Sequence, residues 1–117
     1  MTIPTRIVLS RRAGFDLQAM SRAQNGLPAQ SVARPGPWGN PFSIAEVAEE
    51  LGIDAQAAQT EAVARHGRWL RGELSLEDKT PPSRAAIRAA LAGKNLACWC
   101  ARGTPCHADT LIALANE

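Results

Sequence analysis

Three cysteines and a histidine crowd into positions 98–107, in the run Cys98-Trp99-Cys100-Ala101-Arg102-Gly103-Thr104-Pro105-Cys106-His107. If 96–100 is a strand, Cys98 and Cys100 share one face because side chains alternate along a strand, and Trp99 takes the other. Thr104-Pro105 reads as the opening of a helix, which puts Cys106 and His107 in its first turn, where free amides and the helix dipole favour anions. A short loop then folds this helix start back beside the strand end, so three thiols and one imidazole converge. Cys98, Cys100, Cys106 and His107 form a Cys₃His set, an established zinc ligand set, although adjacent Cys106 and His107 need a special geometry to share one ion. A second chemistry makes Cys106 a nucleophile with its thiol acidified by the helix terminus, and His107 or Asp109 as proton carrier. The third reading is inert packing, since free cysteine is often only a small core residue. The spacing leaves all three open.

The other unusual segment is Arg34-Pro35-Gly36-Pro37-Trp38-Gly39-Asn40-Pro41-Phe42. Its prolines and glycines fix an irregular path, and Asn40 brings an amide donor and acceptor. No Gly-Lys-Ser/Thr follows, so it is not a Walker loop. It either binds a ligand through Arg34, Trp38, Gly39 and Asn40, or serves as a rigid plug with Asn40 bonding local backbone; the two roles are compatible.

Positioning these segments falls to a short series of elements. The β-branched run Ile7-Val8-Leu9 predicts a strand over 5–10, followed by an irregular stretch over 11–28 with an Asn25-Gly26 turn signal. A second short strand is expected over 30–34, ended by Pro35-Gly36-Pro37. Ser43 and Glu46 make a capping box for a helix to about Leu51, stopped by Gly52, and Asp54 caps a longer helix through Arg71. In that helix Ala62, His66, Trp69 and Leu70 share one face, His66 being a surface or packing residue and Trp69 core. Residues 74–79 connect on the surface. Thr80-Pro81 starts the next helix, whose Ile87 and Leu91 face inward until Gly93. The strand over 96–100 and a last helix with Leu111, Ile112 and Leu114 inside complete the chain. The expected architecture is therefore α/β: one small, mostly parallel sheet of about three strands flanked by four helices, in a single domain over 1–117.

Composition narrows the function classes. The 117 residues are 45% hydrophobic but only 4% aromatic, with no tyrosine, which suits one small domain. The net charge of +2 does not announce a nucleic-acid binder, and no aromatic-rich strand face offers itself for stacking bases. Charge is uneven: residues 1–42 carry a net +4, residues 43–80, with eight of the eleven acids, a net −4, and residues 81–117 a net +2. No apolar run approaches a membrane span and the first residues lack a signal-peptide pattern, so no membrane partner and a cytoplasmic location are expected. Three cysteines cannot all pair within one chain, which argues against a secreted disulfide scaffold.

Arg34-Pro35, Gly39-Asn40-Pro41-Phe42, Cys98-Trp99-Cys100 and Cys106-His107-Ala108-Asp109, in that order, resemble a family known as domain of unknown function 4326, found in bacteria and phages. The likeness spans essentially the whole chain, and the departure is an alanine-rich helical middle without the expected tyrosine. The resemblance implies no established reaction. It does imply that 34–42 and 98–109 belong to one site, and it brings the expectation of a phage-encoded member. Independently, a rigid loop after one strand and a helix start after another meet at the carboxyl ends of a parallel sheet. A site holding Arg34, Asn40, Trp38 or Trp99 as a flat wall, the thiols, His107 and Asp109 suits a phosphate plus a planar base. The expected ligand is a small phosphate-bearing or base-like molecule such as a nucleotide, nucleoside or nucleic-acid base, bound with or without turnover. The alternative is a non-enzymatic module stapled by zinc, contacting protein or nucleic acid.

Overall fold

A computed structural model describes residues 2–34 and 36–117; Pro35 of the first motif lies outside the described residues. The elements run β1 (Arg6–Val8), α1 (Leu17–Asn25), β2 (Ala29–Ser31), α2 (Ile44–Leu51), α3 (Ala55–Leu70), α4 (Arg84–Leu91), β3 (Asn95–Cys98) and α5 (His107–Ala115). The three strands form one sheet in the order β1-β3-β2, with both pairings parallel. The α/β class and the small parallel sheet are those expected from the sequence.

β3 is central and buried along its whole length. Its register sets Arg6 beside Leu96 and Val8 beside Cys98 on one edge, and Ala29 beside Asn95 and Ser31 beside Ala97 on the other. Alternation then divides the sheet. Ile7, Ala29 and Ala97 face one side, where Leu17 of α1 packs; Leu96, Cys98 and Val32 face the other, joining Leu91, Leu111 and Leu114 in the main core. Helix α5 lies against β1 and β3 on this second face, with α3 and α4 against α5 and α2 against α3. All three strands are parallel, so their carboxyl ends open on one edge, the place where loops of open α/β sheets build ligand sites.

Among the described residues there are five helices where four were expected, because 17–25 is helical. Its face toward the sheet is held by polar groups, so no apolar stripe advertised it. The Gln18 side chain pairs with the Ala29 backbone, donating to its carbonyl at 2.8 Å and accepting from its amide at 2.9 Å. Buried Asn95 donates to Ser21 Oγ at 2.7 Å and exchanges bonds with the Asn25 amide. Asp16 caps the helix, and Gly26 of the Asn25-Gly26 turn signal, at φ 81°, is its left-handed C-cap.

Helices α2 and α3 follow their sequence signals. Ser43 and Asp54 accept from Glu46 N and Ala57 N, and Gly52 at φ 65° closes α2. Two other starts move. α4 begins at Arg84 with Ser83 as its cap, because Pro82 biases Pro81 away from helical geometry and excludes a start at Thr80-Pro81. α5 begins at His107, with Cys106 as an extended N-cap residue that makes no side-chain cap bond, so Thr104-Pro105 belongs to the preceding loop. The strands are shorter than expected, β2 and β3 ending at Ser31 and Cys98. Among the described residues no helix is long and apolar enough to cross a membrane.

Candidate functional site

The loop 34–42 is anchored by Asn40. This side chain is only 6% exposed. Its Nδ2 donates to the Ala62 carbonyl on α3 at 3.1 Å, while its Oδ1 accepts from Phe42 N at 2.9 Å. Phe42 packs on both the main core and the small cluster of Val47, Ala58 and Ala62. Gly39 is needed for a close approach: a Cβ there would stand 2.5 Å from Arg34 Cγ, so the Arg34 stem lies across the loop.

The segment 98–109 is anchored from β1. Arg6, on the strand face that carries Cys98, sends its guanidinium under the loop between the second and third cysteines. Nη1 donates to the Thr104 carbonyl at 2.8 Å and to Asp109 Oδ2 at 3.0 Å, and Nη2 to the Ala101 carbonyl at 3.2 Å. Gln59 of α3 donates to the Pro105 carbonyl at 2.6 Å, tying the same loop from the opposite side. Neither residue stood out in the sequence. For Arg6 a signal existed: an arginine alternating with the buried Ile7 in a strand must face another layer.

These anchors bring the sulfurs of Cys98, Cys100 and Cys106 within 4.8 Å of one another. Cys98 and Cys106 are 1% exposed and their Sγ atoms are 2.8 Å apart; Cys100 is half-buried. Hydrogen bonds from Cys106 and then Cys98 push the Cys100 pKa down, helped by the Arg6 charge, while the same bonding and burial push Cys98 up. Three thiols whose sulfurs all lie within 4.8 Å of one another can hold a metal ion.

His107 is buried beside the trio. Its Nε2 lies 2.7 Å from the Val32 carbonyl and its Nδ1 3.8 Å from Cys106 Sγ. A carbonyl only accepts, so Nε2 carries the proton and Nδ1 presents a lone pair to the sulfur side. Behind it, His66 is buried at 1% exposure, its ring 5.5 Å from that of His107 and edge-on, with Nδ1 unpartnered. Burial, and then the neighbouring His107, lower its pKa to about 3, so it is a neutral packing residue. Trp69, as expected, is core. Asp109 is exposed and paired with Arg6; partial burial raises its pKa against the opposing pull of that guanidinium.

The two motifs meet in one cavity of about 170 Å³. Arg34, Asn40 and Phe42 line it from the first segment, Cys98, Trp99, Cys100 and His107 from the second, and Gln59, Ala62 and Val63 of α3 from the floor. Trp99 is 46% exposed, and Arg11 lies over its ring at 4.3 Å from the centroid. Not every expected site residue is gathered there. Trp38 packs against the main core. Gly39 borders an adjoining groove shared with Arg34, Gly36, Asn40 and Lys79. Cys106 sits behind the cavity wall, and Asp109 is held by Arg6.

A family model described as a domain of unknown function, DUF4326, matches residues 18–117. The chain belongs to this family. No curated protein and no solved structure matches it. The family match begins after β1, so Arg6, which holds the cysteine loop, is supplied from outside the matched region.

Proposed function

We propose that the chain is a ligand-binding domain whose cavity takes the planar base of a nucleotide or nucleoside, with a zinc ion on Cys98, Cys100 and Cys106 forming its inner wall. The observation that carries this reading is that two chemically unusual segments, far apart in sequence, line one cavity. At about 170 Å³ the cavity is smaller than the several hundred Å³ of drug-sized pockets, so it suits one ring system. Trp99 and Phe42 give flat apolar walls. A phosphate attached to the ring would lie outside, in the groove where Arg34 and Lys79 supply positive charge and which shares Arg34 and Asn40 with the cavity.

Thiolates select soft ions such as zinc, and three protein ligands leave a fourth position. His107 Nδ1 is the nearest further donor. The Nε2–H bond to Val32 is the kind of outer-shell contact that orients a metal-binding imidazole. Bound there, zinc would supply Lewis acidity at the cavity wall; the chain's own part is to hold Cys106 and His107 at the α5 terminus and to close the loop through Arg6.

Calorimetric titration of the zinc-loaded protein with a nucleoside monophosphate, the matching nucleoside and inorganic phosphate tests this reading. Saturable one-to-one binding of the monophosphate is expected, weakened at least tenfold by Arg34→Ala. The nucleoside should bind equally well to both proteins. No heat from any of the three at millimolar concentration refutes ligand binding. A second reading, a zinc-stapled module without a small ligand, is favoured by the burial of Cys98 and Cys106 inside the main core, where an ion would crosslink β3 to α5. It predicts zinc retention together with that silent titration.

A further inference from the structure

The sulfur geometry supports a chemistry that does not depend on metal or ligand. Cys98 and Cys106 Sγ atoms are 2.8 Å apart, about 0.8 Å beyond a disulfide bond length. They are also closer than the roughly 3.8 Å that metal–sulfur arms of about 2.3 Å impose across a tetrahedral site. Both are buried, one at the end of β3 and the other at the cap of α5, so neither meets solvent directly. Cys100 is different: it lines the cavity and is half-buried, and its sulfur is within 4.8 Å of both others. One accessible sulfur thus lies beside a close, shielded pair.

We propose that this trio is a redox relay in which Cys100 reacts with a hydroperoxide entering the cavity and the oxidation ends as a Cys98–Cys106 disulfide. In the first step the Cys100 thiolate attacks the peroxide oxygen, the O–O bond breaks, and Cys100 sulfenic acid and hydroxide form. One buried thiol, Cys98 or Cys106, then attacks the sulfenic sulfur as it loses its proton. Water leaves, and a bridge to Cys100 results. The remaining buried thiol attacks its neighbour in that bridge and expels Cys100 as thiolate. The sum is two thiols and one hydrogen peroxide giving one disulfide and two waters, with Cys100 returned unchanged. The direction of the last step follows from burial. Cys100 is the sulfur that faces the cavity, and the pair that remains is the one already in contact inside the core. Because the bridge uses two of the three sulfurs, oxidation also abolishes the trio as a metal site.

The test is peroxide treatment of the purified full chain in the presence of a chelator, with alkylation under denaturing conditions and mass mapping. Trypsin cuts after Arg102, between the second and third cysteines, so the bridge joins two peptides and fragmentation tells Cys98 from Cys100. The expected product is 2 Da lighter, links Cys98 to Cys106, carries one alkylatable thiol at Cys100, and is restored by dithiothreitol. Cys100→Ser, at a half-buried position, should fold normally and oxidise at least tenfold more slowly. Three alkylatable thiols after equimolar peroxide, a final bridge that contains Cys100, or an unchanged rate in Cys100→Ser each overturn the relay. Zinc content is a separate measurement: a chain that forms the bridge but never binds zinc refutes the metal reading and leaves this one intact, and the reverse result does the opposite.

Discussion

Replacing Asn40 by alanine separates the frame of the site from its ligand contacts. The substitution removes two hydrogen bonds. Ala62, in the middle of α3, keeps its intrahelical partner when the Asn40 donor goes, so that loss is one net hydrogen bond, about 1 kcal/mol. Phe42 N fares worse, because Oδ1 is its partner in a turn packed between two clusters of the core. An amide left unsatisfied there costs about 1–2 kcal/mol. The sum is about 2–3 kcal/mol, a large share of the stability of a domain this size, and should lower the melting temperature by roughly 8–12 °C. Urea denaturation of wild type, Asn40→Ala and Asn40→Asp measures it. The aspartate keeps the acceptor for Phe42 N but turns an oxygen toward the Ala62 carbonyl, so it should be as destabilised as the alanine variant at pH 7 and partly recover as its carboxyl is protonated. A melting temperature within 2 °C of wild type for Asn40→Ala would show that the loop is not held through this side chain.

Arg6→Met should destabilise by about 2–3 kcal/mol through loss of three charge-assisted bonds around a side chain only 12% exposed, and should weaken zinc binding at least tenfold in a chelator competition. Trp99→Ala should change stability by less than about 0.5 kcal/mol, since the indole is half exposed. It should cost tenfold or more in affinity for a stacked base, read by calorimetry. His66 gives a pH dependence. Its pKa is lower in the fold than in the unfolded chain, so the stability it permits is complete above about pH 6.5 and is lost as pH falls toward 3. The loss approaches about 1.4 kcal/mol per pH unit, or about 2 kcal/mol between pH 7 and pH 5. Denaturation midpoints at those two values, for wild type and His66→Leu, check it: the variant should lose most of the slope.

The caps of α2 and α3 were readable in the sequence, whereas the starts read at Thr80 and Thr104 lie at Ser83 and Cys106. Ser43, Gly52 and Asp54 carry local hydrogen-bonding or φ requirements that need no knowledge of the rest of the chain, and the helices they bound fall where expected. α1 was illegible for the opposite reason. Its buried contacts are Gln18, Ser21 and Asn25 paired with Ala29 and Asn95, and such partners lie far off in sequence. The site divided in the same way. Residue type and spacing marked the two motifs, and strand alternation pointed Cys98 toward the α5 face. Gln59 was invisible because a glutamine that donates to a loop carbonyl looks like any surface residue until the loop is placed, and Arg6, although its alternation with buried Ile7 aims it at another layer, gave no sign of which loop it would hold. Trp38 shows the converse error in weight: an aromatic inside a motif is as ready to fill core as to wall a ligand site.

The convergence of the three thiols is the feature on which the proposed site rests, and elemental analysis of the untagged protein tests it most directly. Wild type and Cys100→Ser would be purified side by side and their zinc per chain measured after exhaustive dialysis. One zinc per wild-type chain and little or none in the variant is the expected result, with both folded by circular dichroism. A wild-type chain that holds no zinc when supplied with it, or a variant that retains a full equivalent, would contradict a metal site built on Cys98, Cys100 and Cys106.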